Sequence, residues 1–155
     1  MRTRTILLTL VVVSFVGVAA ALAADANVGT WKLNAAKSKF TPGTPKNDTV
    51  IVEVAGDNMT VTVNGTDGDG KPAHNTWTGK FDGKDYPVTG DPASDMRSYT
   101  KVNDRALTLT LKKDGKVTTT GRIVVSADGK SRTVTTTGTD PQGKKVSGTA
   151  VYDKQ

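Results

Sequence analysis

The sequence predicts an all-β protein, an antiparallel up-and-down β-barrel of about eight to ten strands. From Thr49 onwards apolar and polar residues alternate with a period of two, which is typical of strands with one buried face. Asp-Gly-Lys turns recur between these segments, and glycine after aspartate supplies the positive φ that a tight hairpin turn needs. Consecutive hairpins favour closure into a barrel, because closure leaves no unpaired strand edge.

The first 23 residues are predicted to be a secretory leader (signal peptide, 1–23). Arg2 and Arg4 precede an apolar run from 6 to 22, and Ala21-Leu22-Ala23 offers a small-x-small cleavage site. The run is short for a transmembrane span, so we expect cleavage after Ala23 or one residue later. The remaining 24–155 suit one domain and are too short for two. We therefore expect an exported protein, secreted or periplasmic.

Composition limits the partners of the mature chain. Without cysteine the fold has no disulfide and depends on its core. Removal of Arg2 and Arg4 leaves 19 basic and 15 acidic side chains, a net charge of +4. The lysines are scattered through turns and strand ends, which indicates a solvated surface rather than a nucleic-acid interface. We expect a monomer that binds no nucleic acid and does not insert into a membrane once the leader is cleaved.

The predicted strands follow one another closely. The first carries Trp31 and Leu33 on one side, and the proline-rich segment 35–47 permits at most a short helical turn. The phase of 97–102 is ambiguous, so Arg97 and Tyr99 face either inward or outward. The other strands each place a row of apolar or small residues on one face: Val50, Val52 and Val54; Met59, Val61 and Val63; Trp77, Gly79 and Phe81; Tyr86 and Val88; Leu107, Leu109 and Leu111; Val117, Gly121, Ile123 and Val125; Val134; and Val146, Gly148, Ala150 and Tyr152.

The strands are organised around the segment Gly79–Gly90. We predict that it contains the end of one strand, a tight turn at Asp82-Gly83-Lys84 and a second short strand. Turns of the same kind are predicted at 69–71, 114–116, 128–130 and 142–144.

A β-sandwich is the alternative architecture. Its crossovers need long connections, and only 35–47 and 90–95 have the necessary length. A membrane barrel would need an outward apolar band flanked by aromatic girdles. Nearly every predicted strand has one polar face, and the seven aromatic residues outside the leader are too few for two girdles. The sequence therefore favours a soluble barrel.

Both ends of the mature chain resemble the lipocalin and fatty-acid-binding protein superfamily. Asn27-Val-Gly-Thr-Trp-Lys-Leu33 is similar to the first strand of the fatty-acid-binding branch, and Val151-Tyr-Asp-Lys154 is similar to its last strand. Gly79–Gly90 and 121–130 resemble a group of exported bacterial lipocalin-like proteins. The resemblance implies a barrel in which Trp31 is a structural plug at one end, often with a basic side chain against it.

Two departures from the family limit what the resemblance implies about a ligand. The fatty-acid-binding branch holds a carboxylate with an arginine two residues before its C-terminal tyrosine, and this chain has Ala150 there. That branch also has a lid of two short helices, for which 35–47 is too short and too rich in proline. The resemblance therefore implies a fold more than a ligand.

Catalysis and metal binding find little support in the sequence. His74, the one histidine, lies in the polar phase of a strand, and the chain has no Gly-x-Ser-x-Gly motif. Asp67-Gly-Asp-Gly-Lys71 starts like a calcium loop but lacks the downstream glutamate, so a plain hairpin turn is favoured. We expect no enzyme, no cofactor and no metal site.

The function that remains is binding. We predict an interior site for a small apolar or amphipathic molecule, since such pockets are mostly apolar with a few placed polar groups. The predicted lining residues are Trp77, Phe81, Tyr86, Leu109, Ile123 and Tyr152, with Arg132 as a polar handle. The alternative is a filled barrel that acts through its outer surface, as an envelope or secreted interaction module without a small ligand.

Two further features have alternative interpretations. Arg132 shares the phase of Val134, so it either stacks on Trp31 or anchors an anion inside the barrel. Three glycines either bend the sheet so that it closes or leave room for a guest: Gly121, Gly138 and Gly148.

Overall fold

A computed structural model describes residues 25–155, so the predicted leader at 1–23 lies outside the described residues. All strands belong to one antiparallel sheet. The strands are β1 (Gly29–Leu33), β2 (Lys39–Phe40), β3 (Lys46–Ala55), β4 (Asn58–Thr66), β5 (Pro72–Gly79), β6 (Tyr86–Thr89), β7 (Met96–Asn103), β8 (Ala106–Lys113), β9 (Lys116–Val125), β10 (Ser131–Thr139) and β11 (Lys145–Lys154).

The sheet closes into a barrel because its first and last strands pair. β1 pairs with β3 on one side and with β11 on the other, where Trp31 lies opposite Lys154. β2 also pairs with β11, with Phe40 opposite Gly148, so β1 and β2 together occupy one strand position. The eleven segments thus form a ten-stranded up-and-down barrel. The predicted fold class is confirmed, and the β-sandwich alternative is wrong.

The interruption between β1 and β2 is a single turn of 3-10 helix, Ala35–Lys37. The Asn34 side chain caps it by accepting a hydrogen bond from the Lys37 backbone N–H. This agrees with the short helical turn predicted for the region. Within residues 25–155, no helix is both long and apolar enough to cross a membrane.

Four of the five predicted Gly-Lys turns join consecutive strands as expected, and their glycines have positive φ: Gly70, Gly115, Gly129 and Gly143. Between β8 and β9 both Asp114, with φ 50°, and Gly115, with φ 75°, are left-handed. That is the backbone of a tight hairpin turn, which suits the right-handed twist of paired strands.

The prediction of a tight turn at Asp82-Gly83-Lys84 is wrong. β5 and β6 are in register only at Thr76–Thr89 and Trp77–Val88, so the chain between them forms a longer loop, 80–85. This loop lies along β7, where the Gly83 backbone N–H donates to the Tyr99 carbonyl oxygen at 2.9 Å. Gly83 does have a positive φ of 81°, but it serves a loop that hydrogen-bonds to a distant strand rather than a hairpin.

The ambiguous phase of β7 is resolved by side-chain contacts, since Ser98 is buried as well, at 8% exposure. Tyr99 packs on Trp77, and Arg97 donates to the Asn75 side chain on the same face of β5. Arg97 and Tyr99 are both buried, each 5% exposed, and belong to the inner face. They join a core centred on Trp31 and Trp77, which are fully buried. The outer face carries mainly threonines, as expected for a polar β-branched residue on a strand that faces solvent.

The glycines of β9 and β10 allow close approach of neighbouring strands. A Cβ on Gly121 would lie 2.7 Å from the Thr135 carbonyl oxygen, and one on Gly138 would lie 2.4 Å from the Thr118 carbonyl oxygen. These distances favour the bend over the guest interpretation, because the missing side chain would meet backbone rather than open space. Gly148 differs, since a Cβ at this position would meet a side chain, the Phe40 ring at 2.8 Å, rather than backbone.

Candidate ligand-binding site

Four aromatic rings form a cluster inside the barrel around Trp77. Phe81 stacks on Trp77 with ring centroids 6.1 Å apart and planes 16° apart. Tyr86 and Tyr99 contact the same indole edge-on at 5.8 and 4.8 Å. Trp77 is fully buried, whereas Phe81 and Tyr86 remain partly exposed. We call these four residues the aromatic cluster.

The cluster is held by the backbone and by loop 80–85. The Trp77 indole N–H donates to the Arg97 carbonyl oxygen at 2.9 Å, which satisfies the polar atom of a buried ring. A Cβ on Gly79 would lie 2.5 Å from the Tyr86 ring, so glycine is needed for this packing. The Tyr86 hydroxyl donates to the Asp82 carboxylate at 2.9 Å, and this hydrogen bond raises the pKa of Tyr86.

A second cluster closes the end of the barrel near the N terminus. The Trp31 indole N–H donates to the Asn27 carbonyl oxygen at 2.8 Å. The Arg132 guanidinium lies 5.0 Å from the Trp31 ring centroid and 5.1 Å from that of Tyr152. The ammonium of Lys154, an exposed residue, lies 5.3 Å from the Trp31 ring. Arg132 therefore does stack on Trp31, one of the two positions considered from the sequence.

Burial shifts both ionisable groups of this second cluster. Desolvation lowers the pKa of Arg132 to about 10, although charge interactions with Tyr152 and Tyr99 oppose the shift. Desolvation also raises the pKa of Tyr152 to about 12, and the neighbouring Arg132 charge opposes that shift. Arg132 is therefore charged and Tyr152 neutral at neutral pH.

The other buried arginine is part of a polar network. Arg97 Nη2 lies 3.2 Å from the Asp91 carboxylate and 3.2 Å from the Asn75 side-chain oxygen. Asp91 also accepts hydrogen bonds from the Ser94 hydroxyl and the Ala93 backbone N–H. This network fixes the connection 90–95 to the inner face of the barrel.

The end of the barrel opposite Trp31 is more accessible. The inward row nearest the β8–β9 and β10–β11 turns consists of partly exposed residues: Leu111, Thr119, Gly138 and Val146. A groove of about 700 Å³ adjoins three of them, Thr119, Gly138 and Val146. A separate open groove of about 530 Å³ is lined mainly by outward-facing threonines of β8, β9 and β10. Solvent thus reaches inward-facing side chains at this end.

All seven predicted lining residues belong to the core or pack against it. Three lie in the aromatic cluster, Arg132 and Tyr152 lie beside Trp31, and Leu109 and Ile123 lie on β8 and β9. Their role as ligand contacts stays a prediction. Tyr99, which contacts both Trp77 and Phe81, was not among the predicted contacts. In the sequence, Tyr99 shares a strand face with Arg97, but this does not determine whether that face points into the barrel.

The residues considered for other chemistry are at the surface. His74 is exposed, and its Nδ1 lies 2.6 Å from the Asn64 side-chain oxygen. The Asp67 carboxylate accepts backbone hydrogen bonds from Asp69 and Lys71, both at 2.9 Å, which is the expected hairpin turn. Over residues 25–155, no group of three or more His, Cys, Asp or Glu side chains is arranged to hold a metal ion.

Comparisons with known proteins gave matches among solved structures alone. No protein-family model matches the chain, and no curated protein matches it either. Among solved structures, one match is EF1p2_mFAP2b bound to DFHBI, with 13% identity and a TM-score of 0.48 over 86% of this chain and 97% of that chain. Another is a redesigned β-barrel, mFAP1, bound to DFHBI, with 18% identity and a TM-score of 0.39 over 81% of this chain and 94% of that one.

Proposed function

We propose that this protein is an exported, non-enzymatic barrel of the lipocalin and fatty-acid-binding protein superfamily that binds a small apolar or amphipathic molecule in its interior. Superfamily membership is supported by the ten-stranded closed barrel, with Gly29-Thr30-Trp31 on β1 and a basic side chain on the indole. The export step rests on the leader pattern at 1–23. The mature protein acts as a monomer and needs no cofactor.

The observation that carries this proposal is the graded burial of the inner face. Around Trp31 and Trp77 the core is closed, whereas Leu111 and Val134 face inward and remain partly exposed. An apolar wall that solvent can reach is the general character of a small-molecule pocket. The predicted ligand enters at the end opposite Trp31 and lies against Leu109, Ile123 and the aromatic cluster.

The alternative function is a filled barrel that acts through its outer surface. It is favoured by the complete burial of both tryptophans and by the groove of about 530 Å³ on the outer wall of β8 to β10. The two functions predict different binding sites for a small apolar probe, and substitutions at two adjacent residues can distinguish these sites. Val134 faces inward and is partly buried, whereas Thr135 faces outward and is exposed.

The test is a fluorescence titration with the uncharged dye N-phenylnaphthylamine. We expect the purified wild-type protein to bind the dye at one saturable site. Val134→Trp places an indole in the interior and should weaken binding by about tenfold or more, since an occupied pocket loses most of its apolar contact area. Thr135→Trp adds the same indole outside and should bind the dye as the wild type does.

Circular dichroism and urea unfolding of both variants establish that each is folded before the titrations are compared. Absence of saturable binding by the wild type would contradict interior binding. Weakening by Thr135→Trp but not by Val134→Trp would place the dye on the outer wall and favour the alternative.

A further inference from the structure

Two open grooves of the barrel meet at one pair of threonines on its outer wall. The groove of about 530 Å³ on β8 to β10 and the groove of about 700 Å³ at the accessible end are both lined by Thr120 and Thr137, which lie opposite each other on β9 and β10. Thr110 continues this row on β8, and Ser147 continues it on β11. The joined grooves, which we call the outer groove, therefore run across the strands from β8 to β11.

The threonine hydroxyls of the outer groove are free to bind another molecule. On the opposite wall, the cross-strand pair Thr60 and Thr78 is hydrogen-bonded through its two hydroxyls at 3.1 Å. Within residues 25–155, the corresponding pair Thr120 and Thr137 makes no such hydrogen bond, and both side chains are exposed. A hydroxyl both donates and accepts hydrogen bonds, so these two can pair with a polyhydroxylated ligand.

The charged side chains that line the outer groove are both basic. They are Arg122 and Lys145, which are exposed and form no ion pair in the part of the chain that the structure describes. Strand geometry puts their Cα atoms about 15–20 Å apart. The opposite wall differs, since Glu53 lies directly beside Thr60 there. The outer groove therefore suits an extended molecule that carries negative charge at intervals.

Aliphatic side chains give the outer groove an apolar component. Val124 lines one part and Val117 the other, and they are 41% and 55% exposed. Sugar rings combine hydroxyl groups with apolar C–H faces, so they match a surface of hydroxyls and methyl groups. A nucleic acid would need aromatic side chains on which its bases could stack, and a protein partner would need a buried aromatic or arginine anchor. No aromatic residue lines either part of the groove among residues 25–155.

We propose that the outer groove binds a linear acidic glycan. Carboxylates of the glycan pair with Arg122 and Lys145, and its hydroxyls exchange hydrogen bonds with Thr120 and Thr137. The separation of the two cations requires a chain of several sugar units. This site lies on the outside of the barrel, so it is independent of the proposed interior binding, and one barrel can hold both ligands.

The first test is a calorimetric titration of the purified protein with oligogalacturonate and with its methyl ester, which has the same sugar backbone without the charges. We expect one saturable site for oligogalacturonate and binding weaker by about tenfold or more for the ester. The double variant Arg122→Gln, Lys145→Gln should weaken oligogalacturonate binding by about tenfold, because both ion pairs are lost. The control Lys71→Gln, Lys80→Gln removes the same charge from exposed positions outside the groove and should bind as the wild type does.

The second test removes hydroxyls and keeps the charge. Thr120→Val with Thr137→Val preserves the branched shape of both side chains and should weaken oligogalacturonate binding by about fivefold or more, because two hydrogen bonds are lost. Thr60→Val with Thr78→Val makes the same change on the opposite wall and should leave the affinity unchanged. Circular dichroism of all variants establishes that each is folded.

Three outcomes would overturn the inference: no saturable binding of oligogalacturonate by the wild type, equal weakening by the groove and control charge variants, or equal weakening by the two pairs of valine substitutions. Single-stranded DNA of the same charge that binds as tightly as oligogalacturonate would identify a general polyanion surface and would overturn the glycan assignment. Binding of N-phenylnaphthylamine should be the same in the groove charge variant and the wild type. Failure of that dye to bind the wild type would contradict interior binding alone, since the outer groove does not depend on it.

Discussion

At the scale of single residues, the end of the barrel near the N terminus depends on Trp31. Its indole is fully buried, donates to the Asn27 carbonyl oxygen and lies beneath the Arg132 guanidinium. We expect Trp31→Ala to lower the free energy of unfolding by about 3–5 kcal/mol, because it leaves a large cavity in the core. Urea unfolding followed by circular dichroism measures the change.

The control for that substitution is His74→Ala. His74 is exposed, and its ring is hydrogen-bonded to the Asn64 side chain, so its removal should change the free energy of unfolding by about 0.5 kcal/mol or less. Equal and small effects of the two substitutions would mean that β1 does not close the core.

A second prediction concerns the two buried arginines. Arg97→Met leaves the Asp91 carboxylate, which is 13% exposed, without its cation, so we expect a loss of about 1–3 kcal/mol in the free energy of unfolding. Arg132→Met removes a charge that forms no ion pair among residues 25–155 and should be neutral or slightly stabilising in the absence of ligand. Paired urea titrations of ligand-free protein compare them. If Arg132→Met were the more destabilising variant, the Arg132 charge would be structural.

At the scale of elements, the barrel closes by tight contact between β9 and β10. Gly138 lies opposite Thr119, and a Cβ there would meet the Thr118 carbonyl oxygen at 2.4 Å. We expect Gly138→Ala to cost about 1–3 kcal/mol, because the two strands must move apart. Thr137→Val, on the outer face of the same strand, keeps a β-branched side chain and should change stability by about 0.5 kcal/mol or less. Urea unfolding of both variants measures the two changes in stability. Similar destabilisation by Gly138→Ala and Thr137→Val would contradict the close packing of β9 against β10 at Gly138.

The strands themselves were predictable because their determinants are local. A period of two defines the inner face of β3, β4, β8 and β9, and Asp-Gly-Lys turns define most hairpins. Loop 80–85 was not predictable in this way, since its path depends on the hydrogen bond from Gly83 to Tyr99 and on the stacking of Phe81 on Trp77. A turn motif describes only residues that are adjacent in sequence, so it does not predict contacts with a distant strand.

The candidate site likewise contains residues whose positions were predictable from the sequence and residues whose positions were not. Arg132 was placed on the inner face from its shared phase with Val134, and the structure has it there. The direction of the β7 side chains could not be predicted in this way, because Arg97, Ser98 and Tyr99 include no aliphatic residue that would identify the buried face. That Arg132 has no ion-pair partner within the described part of the chain depends on every strand around it, so only the assembled barrel reveals it.

At the scale of the whole molecule, the barrel is closed at one end and accessible at the other. Trp31, Arg132 and Tyr152 close the first end, and the partly exposed row that includes Leu111 and Val146 borders the second. A small interior ligand would enter at the accessible end and lie against the apolar residues of the inner face. The central claim is therefore that the native protein carries a small molecule inside.

Native mass spectrometry of the protein isolated from its own source tests this claim most directly. We expect a second charge-state series that is heavier than the mature chain by the mass of one small molecule, and denaturation should release that molecule. Protein kept folded throughout and observed only at the mass of the bare chain would contradict the account and favour a barrel that acts through its outer surface.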